Sequence, residues 1–381
     1  MKCFKNATVY VHGKGLQRRN VYFTEKIENI TRFGWHGAEE ISLPSNAIVL
    51  PGFIDQHVHG AGGADAMDGT AEALSVIAKA LAKEGTTGFL ATTMTADEAS
   101  LKRALGAVKD YRAGKSDGAR LLGVHLEGPF ISEKYKGAQP SEYISAPSAD
   151  TFDKYNAASG GAIRIASLAP EAEGAISLIR HLSECGVLPS IGHTDAGYEK
   201  IAEALEAGAR GVTHTFNAQS PLHHRDVGTV GSAMLFDELG CELIADTVHV
   251  SVPAIRLLLK NKPKDKLILI TDAMRAKGLS DGESELGGQK VLVRGGEARL
   301  SDGTLAGSVL KMNCAIKNMV TKVGLPFTDA VDLATVNPAR ALNIDSECGS
   351  ISKGKRADFA VLDSEYNVIM TVVGGEVVYK K

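Results

Sequence analysis

The sequence contains little cysteine, no apolar run of membrane-spanning length and no large excess of charge of either sign. Its five cysteines form no Cys-x-x-Cys pair and are odd in number, which reduced cytosolic thiols explain most simply. The segment Met1–Ala7 lacks an apolar signal core. The formal net charge of −3 argues against general binding to nucleic acid or to anionic membranes. We therefore expect a cytoplasmic protein that contacts neither nucleic acid nor membrane.

The length and the order of predicted elements favour an α/β barrel with a small additional module. A barrel of about 250 residues leaves room for a second unit in a chain of 381 residues. Between residues 51 and 345, apolar strands alternate with helical segments, as in a parallel sheet covered by helices. About eight strands favour a closed (β/α)8 TIM-type barrel over an open doubly wound sheet. No Gly-x-Gly-x-x-Gly follows the first strand, which also argues against a dinucleotide fold.

Both ends of the chain are rich in short strands. We expect residues 1–50 and 346–381 to pair into one small β-sandwich domain, which the barrel domain, 51–345, interrupts in sequence. The glycine pairs Gly287-Gly288 and Gly295-Gly296 predict an inserted hairpin near 285–300, within the barrel domain.

Two histidines close the first barrel strand. The apolar run 49–54 is followed by His57 and His59, and alternate side chains of an extended strand point the same way. Two neutral imidazoles that converge at a strand end provide ligands for a divalent metal. Because such a pair is weak evidence alone, its interpretation depends on the residues that follow the other strands.

Four further polar residues follow predicted strands, namely Glu127, His193, His214 and Asp272. In a barrel of this type the C-terminal ends of the strands converge on the active site. Each residue alone is more simply explained as a helix cap or a buried histidine, but the six together predict a metal site. His125, which neighbours Glu127 in sequence, is predicted to point to the opposite face of its strand and to be structural.

This set of residues is suited to hydrolysis. A metal bound by imidazoles and a carboxylate lowers the pKa of its water towards neutrality and so supplies hydroxide. Asp272 is predicted to take the proton during attack and to pass it to the departing nitrogen. His249 is predicted to donate a hydrogen bond to the carbonyl oxygen as charge develops there.

Short motifs over nearly the whole chain resemble the amidohydrolase superfamily. They include Pro51-Gly52-Phe53-Ile54-Asp55-x-His57-x-His59 and Gly349-Ser350-Ile351-x-x-Gly354-Lys355-x-Ala357-Asp358. Five further segments are similar to its N-acetylglucosamine-6-phosphate deacetylase family: His125-Leu126-Glu127-Gly128-Pro129-Phe130, Lys136-Gly137-Ala138-Gln139, Gly192-His193-Thr194, Thr213-His214-x-Phe216-Asn217-Ala218 and Thr271-Asp272-Ala273-Met274. The resemblance implies metal-dependent hydrolysis of N-acetyl-D-glucosamine 6-phosphate to D-glucosamine 6-phosphate and acetate, in amino-sugar catabolism and cell-wall recycling.

The resemblance also implies a role for each site residue. Glu127, His193 and His214 would hold the main metal, and Asp272 would be the catalytic acid and base. His57 and His59 would hold a second metal, which Glu127 would bridge to the first. The implied sugar contacts are Ala138, Gln139 and His249, the phosphate contacts are Asn217, Ala218 and Arg225, and the residues that close over the acetyl end are Leu305, Ala306 and Gly307.

The phosphate requires a local cation, because the net charge of −3 provides no general attraction for an anion. The loop 220–226 carries Arg225 shortly after Asn217 and Ala218, and the planar guanidinium suits a phosphate group. A loop of this length can project from its own barrel, and the resemblance implies a homodimer. We therefore predict that Arg225 reaches the neighbouring active site, the alternative being a surface arginine paired with Asp226.

Three other functions stay open at this point. A deacetylase for the galactosamine epimer would keep every catalytic residue. A cyclic-amide hydrolase or an aminoacylase would not need Arg225 or the Asn217-Ala218 pair. A metal-dependent binding or regulatory protein would have no use for the proton shuttle at Asp272. The sequence also leaves open whether one or two metal ions bind per subunit and whether they are zinc, iron, manganese or cobalt.

Overall fold

Two eight-stranded sheets organise the chain in the computed structural model, which describes residues 1–34, 37–114 and 116–381. The strands are β1 (Lys2–Val11), β2 (Gly15–Phe23), β3 (Ile27–Thr31), β4 (Glu39–Ile41), β5 (Ile48–Pro51), β6 (Phe53–Val58), β7 (Gly60–Ala61), β8 (Ala64–Asp65), β9 (Thr86–Thr92), β10 (Arg120–Glu127), β11 (Ile163–Leu168), β12 (Leu188–Ile191), β13 (Gly211–Val212), β14 (Gly240–Ile244), β15 (Leu267–Ile270), β16 (Gly282–Leu286), β17 (Gln289–Arg294), β18 (Glu297–Arg299), β19 (Phe359–Leu362), β20 (Val368–Val373) and β21 (Glu376–Lys380). The helices are α1 (Ala71–Ala82), α2 (Glu98–Ala113), α3 (Ala149–Ala158), α4 (Ala175–Glu184), α5 (Tyr198–Ala207), α6 (Gly228–Leu235), α7 (Val252–Asn261), α8 (Met312–Asn318), α9 (Phe327–Asp332) and α10 (Val336–Ala341).

One of the two sheets is a parallel barrel with the strand order β6-β9-β10-β11-β12-β13-β14-β15. Two backbone hydrogen bonds at the ends of β6 and β15 close the ring. The N–H of Asp272 donates to the carbonyl of His57, and the N–H of His59 donates to that of Ala273, each at 2.9 Å. β9 and β15 are buried along their whole length, because helices cover the outside of the barrel.

α1 illustrates why the segments between barrel strands are helical. The side chain of Thr70 accepts the N–H of Ala73 at 3.1 Å, which satisfies one free donor of the first turn. Leu74, Ile77 and Leu81 follow at helical spacing and are buried in the main core. With the outer face of the barrel covered in this way, polar chemistry is confined to the ends and the interior of the barrel.

The second sheet joins both ends of the chain in the order β21-β20-β19-β5-β1-β2-β3, with β4 paired to β1. The rings of Phe4, Phe23 and Phe359 pack in its core with centroids 5.0 to 5.4 Å apart. Gly52 alone separates β5 from β6, and a Cβ there would lie 2.1 Å from Oγ1 of Thr87, so the connection requires glycine. The predicted fold class is confirmed, while the domain bounds at 50/51 and 345/346 stay a prediction.

A three-stranded antiparallel sheet, β16 to β18, occupies the segment for which the sequence predicts an inserted hairpin. Its Leu286 and Val291 pack with Met94 and Met274, which follow barrel strands β9 and β15. The sheet therefore covers one side of the C-terminal mouth of the barrel. Within the described ranges, no helix has the length and apolarity that a membrane crossing requires.

Candidate active site

The five predicted metal ligands converge on the carboxylate of Glu127, at the end of β10. Its Oε1 lies 3.2 Å from Nε2 of His193, 3.0 Å from Nε2 of His214 and 3.4 Å from Nε2 of His57. Its Oε2 lies 3.2 Å from Nε2 of His59. All five side chains are buried. Residues that are distant in sequence thus present one donor atom each to a common centre, as the barrel geometry predicts.

Asp272 lies on the side of this cluster nearest the first strand. Its Oδ1 is 3.2 Å from Nε2 of His59 and 3.5 Å from Nε2 of His57. His193, His214 and Asp272 each stand two residues beyond the end of a barrel strand, and their φ angles are 48°, 31° and 47°. This left-handed backbone costs roughly 1–3 kcal/mol for a non-glycine residue and is concentrated at functional sites. The turn directs each side chain into the cluster.

Glu242, in the middle of β14, lies beneath His57 and was not predicted as a site residue. Its Oε2 is 3.0 Å from Nδ1 of His57 and accepts the backbone N–H of His214 at 3.2 Å. Its Oε1 accepts a hydrogen bond from Nε2 of Gln56 at 2.7 Å. A charged residue within the otherwise apolar strand β14 (Gly240–Ile244) is the signal that could have found it, because a buried carboxylate is costly unless it is paired.

The sequence predicts that His125 points away from the site. In the structure it points into the barrel instead. Residues 125 and 127 are two apart on one strand and therefore share a face. The His125 ring packs 4.4 Å from that of His57, and its two nitrogens lie 3.1 Å from the Gln56 carbonyl and 2.6 Å from Oγ of Ser167. Burial, with the charge of His57, lowers the pKa of His125 to about 4, so it is neutral. It belongs to the barrel interior beneath the metal ligands.

The carboxylates of the cluster favour positive charge on or beside the histidines that they face. Burial alone would lower the pKa of His57, but Asp272, Glu127 and Glu242 together raise it to about 9. Burial would raise the pKa of Asp272, but His57 and His59 lower it to about 2. The pKa of Glu127 is likewise held well below its usual range, because its histidine neighbours outweigh burial. At neutral pH both carboxylates are therefore anionic.

These residues fit a divalent metal. His193 Nδ1 lies 2.9 Å from the carbonyl of Tyr135, and since a carbonyl can only accept, Nδ1 carries the proton and Nε2 keeps a free lone pair. Nε2 of His193 and Nε2 of His214 are 3.0 Å apart, close to the separation of about 3.3 Å that ligands 2.0–2.1 Å from a tetrahedral metal would have. The set Glu127, His193 and His214 and the set His57, His59 and Glu127 each bring one donor atom per residue within 4.8 Å of the others.

A cavity of about 500 Å³ opens onto this cluster at the mouth of the barrel. Among the predicted site residues, those that line the cavity are His59, Glu127, Ala138, Gln139, His193, His214, Asn217, Ala218, His249, Asp272, Leu305 and Gly307. A space of this size suits a small polar ligand. The structure therefore brings the predicted metal, sugar and acetyl contacts together around one cavity.

Three predicted site residues do not line this cavity. His57 lies below it and is fully buried. Ala306 is also fully buried, and its N–H donates to the carbonyl of Ala298. Arg225 is exposed in the loop after β13, with NH1 2.9 Å from Nε2 of His224. Its predicted contact with a partner subunit's site stays a prediction.

Two predicted substrate contacts also have partners of their own. Gln139 donates to Oε2 of Glu127 at 2.8 Å and accepts the N–H of Thr95 at 2.7 Å, so it holds the central carboxylate in place. His249 Nδ1 lies 2.6 Å from Oδ2 of Asp246. Burial would lower the pKa of His249, but Asp246 raises it. Protonation of the ring, which Asp246 favours, would make the second ring nitrogen of His249 a hydrogen-bond donor.

Two cations on the cavity wall were not among the predicted site residues. Lys134 follows β10 and also pairs with Asp195 at 2.7 Å, and Arg299 belongs to β18 of the inserted sheet. Neither position carries a sequence signal that distinguishes it from an ordinary surface cation. Only the folding of the inserted sheet over the barrel mouth brings Arg299 to the cavity.

The fold and this cluster define a barrel hydrolase, and the comparisons with known proteins agree. The Amidohydrolase family matches residues 48–378, so the chain belongs to this family. It is similar to the N-acetylglucosamine-6-phosphate deacetylase of Bacillus subtilis, with 44% identity over 345 residues, 90% of this chain and 87% of the relative. It is 38% identical over 329 residues to an N-acetylgalactosamine-6-phosphate deacetylase of Escherichia coli, covering 86% and 87% of the two chains.

A solved structure extends the similarity to three dimensions. An N-acetyl-D-glucosamine-6-phosphate deacetylase variant from Mycobacterium smegmatis, in complex with N-acetyl-D-glucosamine-6-phosphate, matches this chain with a TM-score of 0.91. The two sequences are 31% identical, and the match covers 100% of this chain and 99% of the other. The predicted resemblance to this family is thereby confirmed.

Proposed function

We propose that this chain hydrolyses the acetamide of N-acetyl-D-glucosamine 6-phosphate to D-glucosamine 6-phosphate and acetate in the cytoplasm, as a step of amino-sugar catabolism and cell-wall recycling. The observation that carries the proposal is the position of the anionic Asp272, 3.2 Å from His59, which itself lies 3.2 Å from Glu127, on the cavity of about 500 Å³ that Glu127, His193 and His214 also line. A base next to a metal site is the arrangement that amide hydrolysis needs.

Glu127, His193 and His214 would hold the main metal in this proposal, and His57, His59 and Glu127 would hold a second one. A zinc or iron ion held by these residues would lower the pKa of a bound water towards 7. Asp272 Oδ1 accepts the proton of the attacking water and then delivers it to the departing amine nitrogen. His249, held by Asp246 at 2.6 Å, donates from its other ring nitrogen to the acetyl oxygen.

The substrate is held along the cavity wall. Ala138, Gln139 and His249 contact the sugar ring, and Leu305, Ala306 and Gly307 enclose the acetyl group through the loop that they form. Asn217 and Ala218 receive the phosphate, and Arg225 reaches it from the neighbouring subunit of a homodimer. The exposed position of Arg225 supports this assignment. So do Leu222 in the same loop and Leu235 at the end of α6, which are 49% and 60% exposed and would be covered in a dimer.

The test is acetate release by the metal-loaded protein. The 6-phosphates of N-acetylglucosamine and N-acetylgalactosamine are compared with unphosphorylated N-acetylglucosamine, and metal content per chain is measured on the same preparation. We expect the fastest release from the glucosamine epimer. Faster release from the galactosamine epimer would identify the alternative, which the 38% identical relative favours. No release from either phosphate by protein that holds its metal would overturn the proposal.

A further inference from the structure

A layer of hydrogen-bonded polar side chains lies inside the barrel, directly beneath the metal ligands. Barrel interiors of this type are usually filled by bulky branched apolar side chains. Here the layer consists of residues that are at most 2% exposed: Gln56, His125, Ser167, Ser190, Thr213 and Glu242. Each comes from, or directly follows, a different barrel strand. Burying a polar layer of this extent costs free energy unless its members form hydrogen bonds with one another.

The hydrogen bonds of the layer run almost completely around the barrel. Ser190 bonds Thr213 at 2.7 Å, and Thr213 bonds Ser167 at 2.6 Å. Ser167 bonds His125 at 2.6 Å, and His125 bonds the carbonyl of Gln56 at 3.1 Å. The Gln56 side chain then donates to Glu242 at 2.7 Å. The chain of bonds therefore ends on Glu242, the one carboxylate of the layer.

Glu242 is also the member of the layer that contacts two ligand-bearing segments. Oε2 faces Nδ1 of His57 at 3.0 Å and accepts the N–H of His214 at 3.2 Å. An irregularity in the pairing of β6 between Asp55 and Val58 lets Gln56 and His57 both turn towards it. One carboxylate thereby connects a ligand of each predicted metal site.

The contact with Glu242 decides which nitrogen of His57 is available to a metal. Both oxygens of Glu242 already accept N–H donors, from Gln56 and from the backbone of His214, so Nδ1 of His57 carries the proton in its contact with Glu242. Nε2 then faces Glu127 at 3.4 Å and Asp272 at 3.5 Å, and it has no hydrogen-bond partner in the described part of the chain. Without Glu242 the ring could place its proton on Nε2 instead, as a donor to Glu127, and that tautomer has no lone pair on the nitrogen that faces Glu127 and Asp272.

We propose that Glu242 is a positioning residue, which keeps Nε2 of His57 free for a metal and ties the His57 ring to the backbone of His214. The inference rests on the proposed function only in that it assumes the metal sites. Carboxylates that orient metal-bound histidines contribute about 10- to 100-fold in metal affinity. We expect this loss chiefly at the site of His57 and His59.

The test is metal binding by Glu242→Gln, a change that preserves size but leaves one acceptor oxygen for three donors. Zinc affinity is measured by competition with a chromophoric chelator, and we expect the second zinc ion to bind 10- to 100-fold more weakly than in the unchanged protein. Glu238→Gln, which removes an exposed carboxylate, is the matched charge control and should bind both ions normally. Adding Glu242→Gln to His57→Ala should weaken the second site no further.

A measurement on the unchanged protein keeps the inference testable if Glu242→Gln does not fold. In the zinc-loaded protein with ¹⁵N-labelled histidine, the ring proton of His57 should lie on Nδ1 and exchange slowly with solvent. A proton on Nε2, a single zinc ion per chain, or equal zinc affinity in Glu242→Gln would each overturn the inference. A protein that binds two zinc ions with this tautomer but releases no acetate would overturn the proposed function alone.

Discussion

Replacing Asp272 with Asn should remove most of the turnover while leaving the main metal in place. The amide keeps the size of the side chain but cannot accept a proton. Because His57 and His59 lower the pKa of Asp272 to about 2, the base is fully ionised at pH 7 in the unchanged protein, so its whole contribution is lost. General acid–base assistance is worth about 10²- to 10⁴-fold, or roughly 2.7 to 5.4 kcal/mol at 1.36 kcal/mol per decade.

The assay for this variant separates turnover from binding. Acetate release is followed at several substrate concentrations, and metal content per chain is measured alongside. We expect kcat to fall by 10²-fold or more, with KM changed little and at least one metal ion retained, since Asp272 is not a ligand in the Glu127, His193 and His214 set. More than half of the original kcat in a metal-loaded variant would exclude Asp272 as the base.

Three further perturbations test other parts of the structure. Replacing Glu127, His193 or His214 with Ala should remove the main metal and abolish activity, whereas replacing both His57 and His59 should remove only a second metal. If metal analysis instead showed that the double variant loses all metal while the His214 variant keeps it, the ranking of the two sites would be wrong. Arg225→Ala should strongly weaken use of the 6-phosphate substrate, and an equal loss of activity on the unphosphorylated sugar would exclude a phosphate contact. Mixing Arg225→Ala chains with Asp272→Asn chains should restore some activity, because one site of the heterodimer would regain both groups. Verified heterodimers without activity would exclude a contribution across the dimer. Lys277→Met leaves the buried Glu84 without the cation that lies 2.5 Å away, which should lower the free energy of unfolding by about 3 to 5 kcal/mol at pH 8. Burial raises the pKa of Glu84 from 4.5 to about 7, so the folded state binds this proton more tightly than the unfolded state does. The Lys277→Met variant should therefore regain stability as the pH falls towards 5. An equal loss of unfolding free energy at pH 8 and pH 5 in urea denaturation would contradict this account.

The sequence allowed prediction of those site residues that follow strands. His57, His193 and Asp272 each close an apolar run, and parallel strands of a barrel bring such ends together, so their convergence needed no knowledge of distances. The predicted orientation of His125 was wrong because the alternation of a strand was applied incorrectly: residues 125 and 127 share a face, and both point into the barrel.

Other parts of the site depend on contacts that local sequence does not encode. Glu242 lies in the middle of a strand, where its role depends on meeting Gln56 and His57 from the opposite side of the barrel. Arg299 reaches the cavity only because the three-stranded sheet folds over Met94 and Met274. Such positions depend on long-range packing, and a single sequence does not show which residues that are distant in the chain come into contact.

The left-handed backbone at His193, His214 and Asp272 has a consequence for protein engineering. A designer who transfers these side chains to the ends of regular strands in another barrel would obtain the same composition with the donor atoms aimed elsewhere. The turn must therefore be transplanted together with the residue. Selection for thermal stability alone would act against these three turns, since glycine adopts them without strain but carries no ligand. Stabilising libraries for this chain should leave all three positions fixed and draw their gains from the surface of the helices.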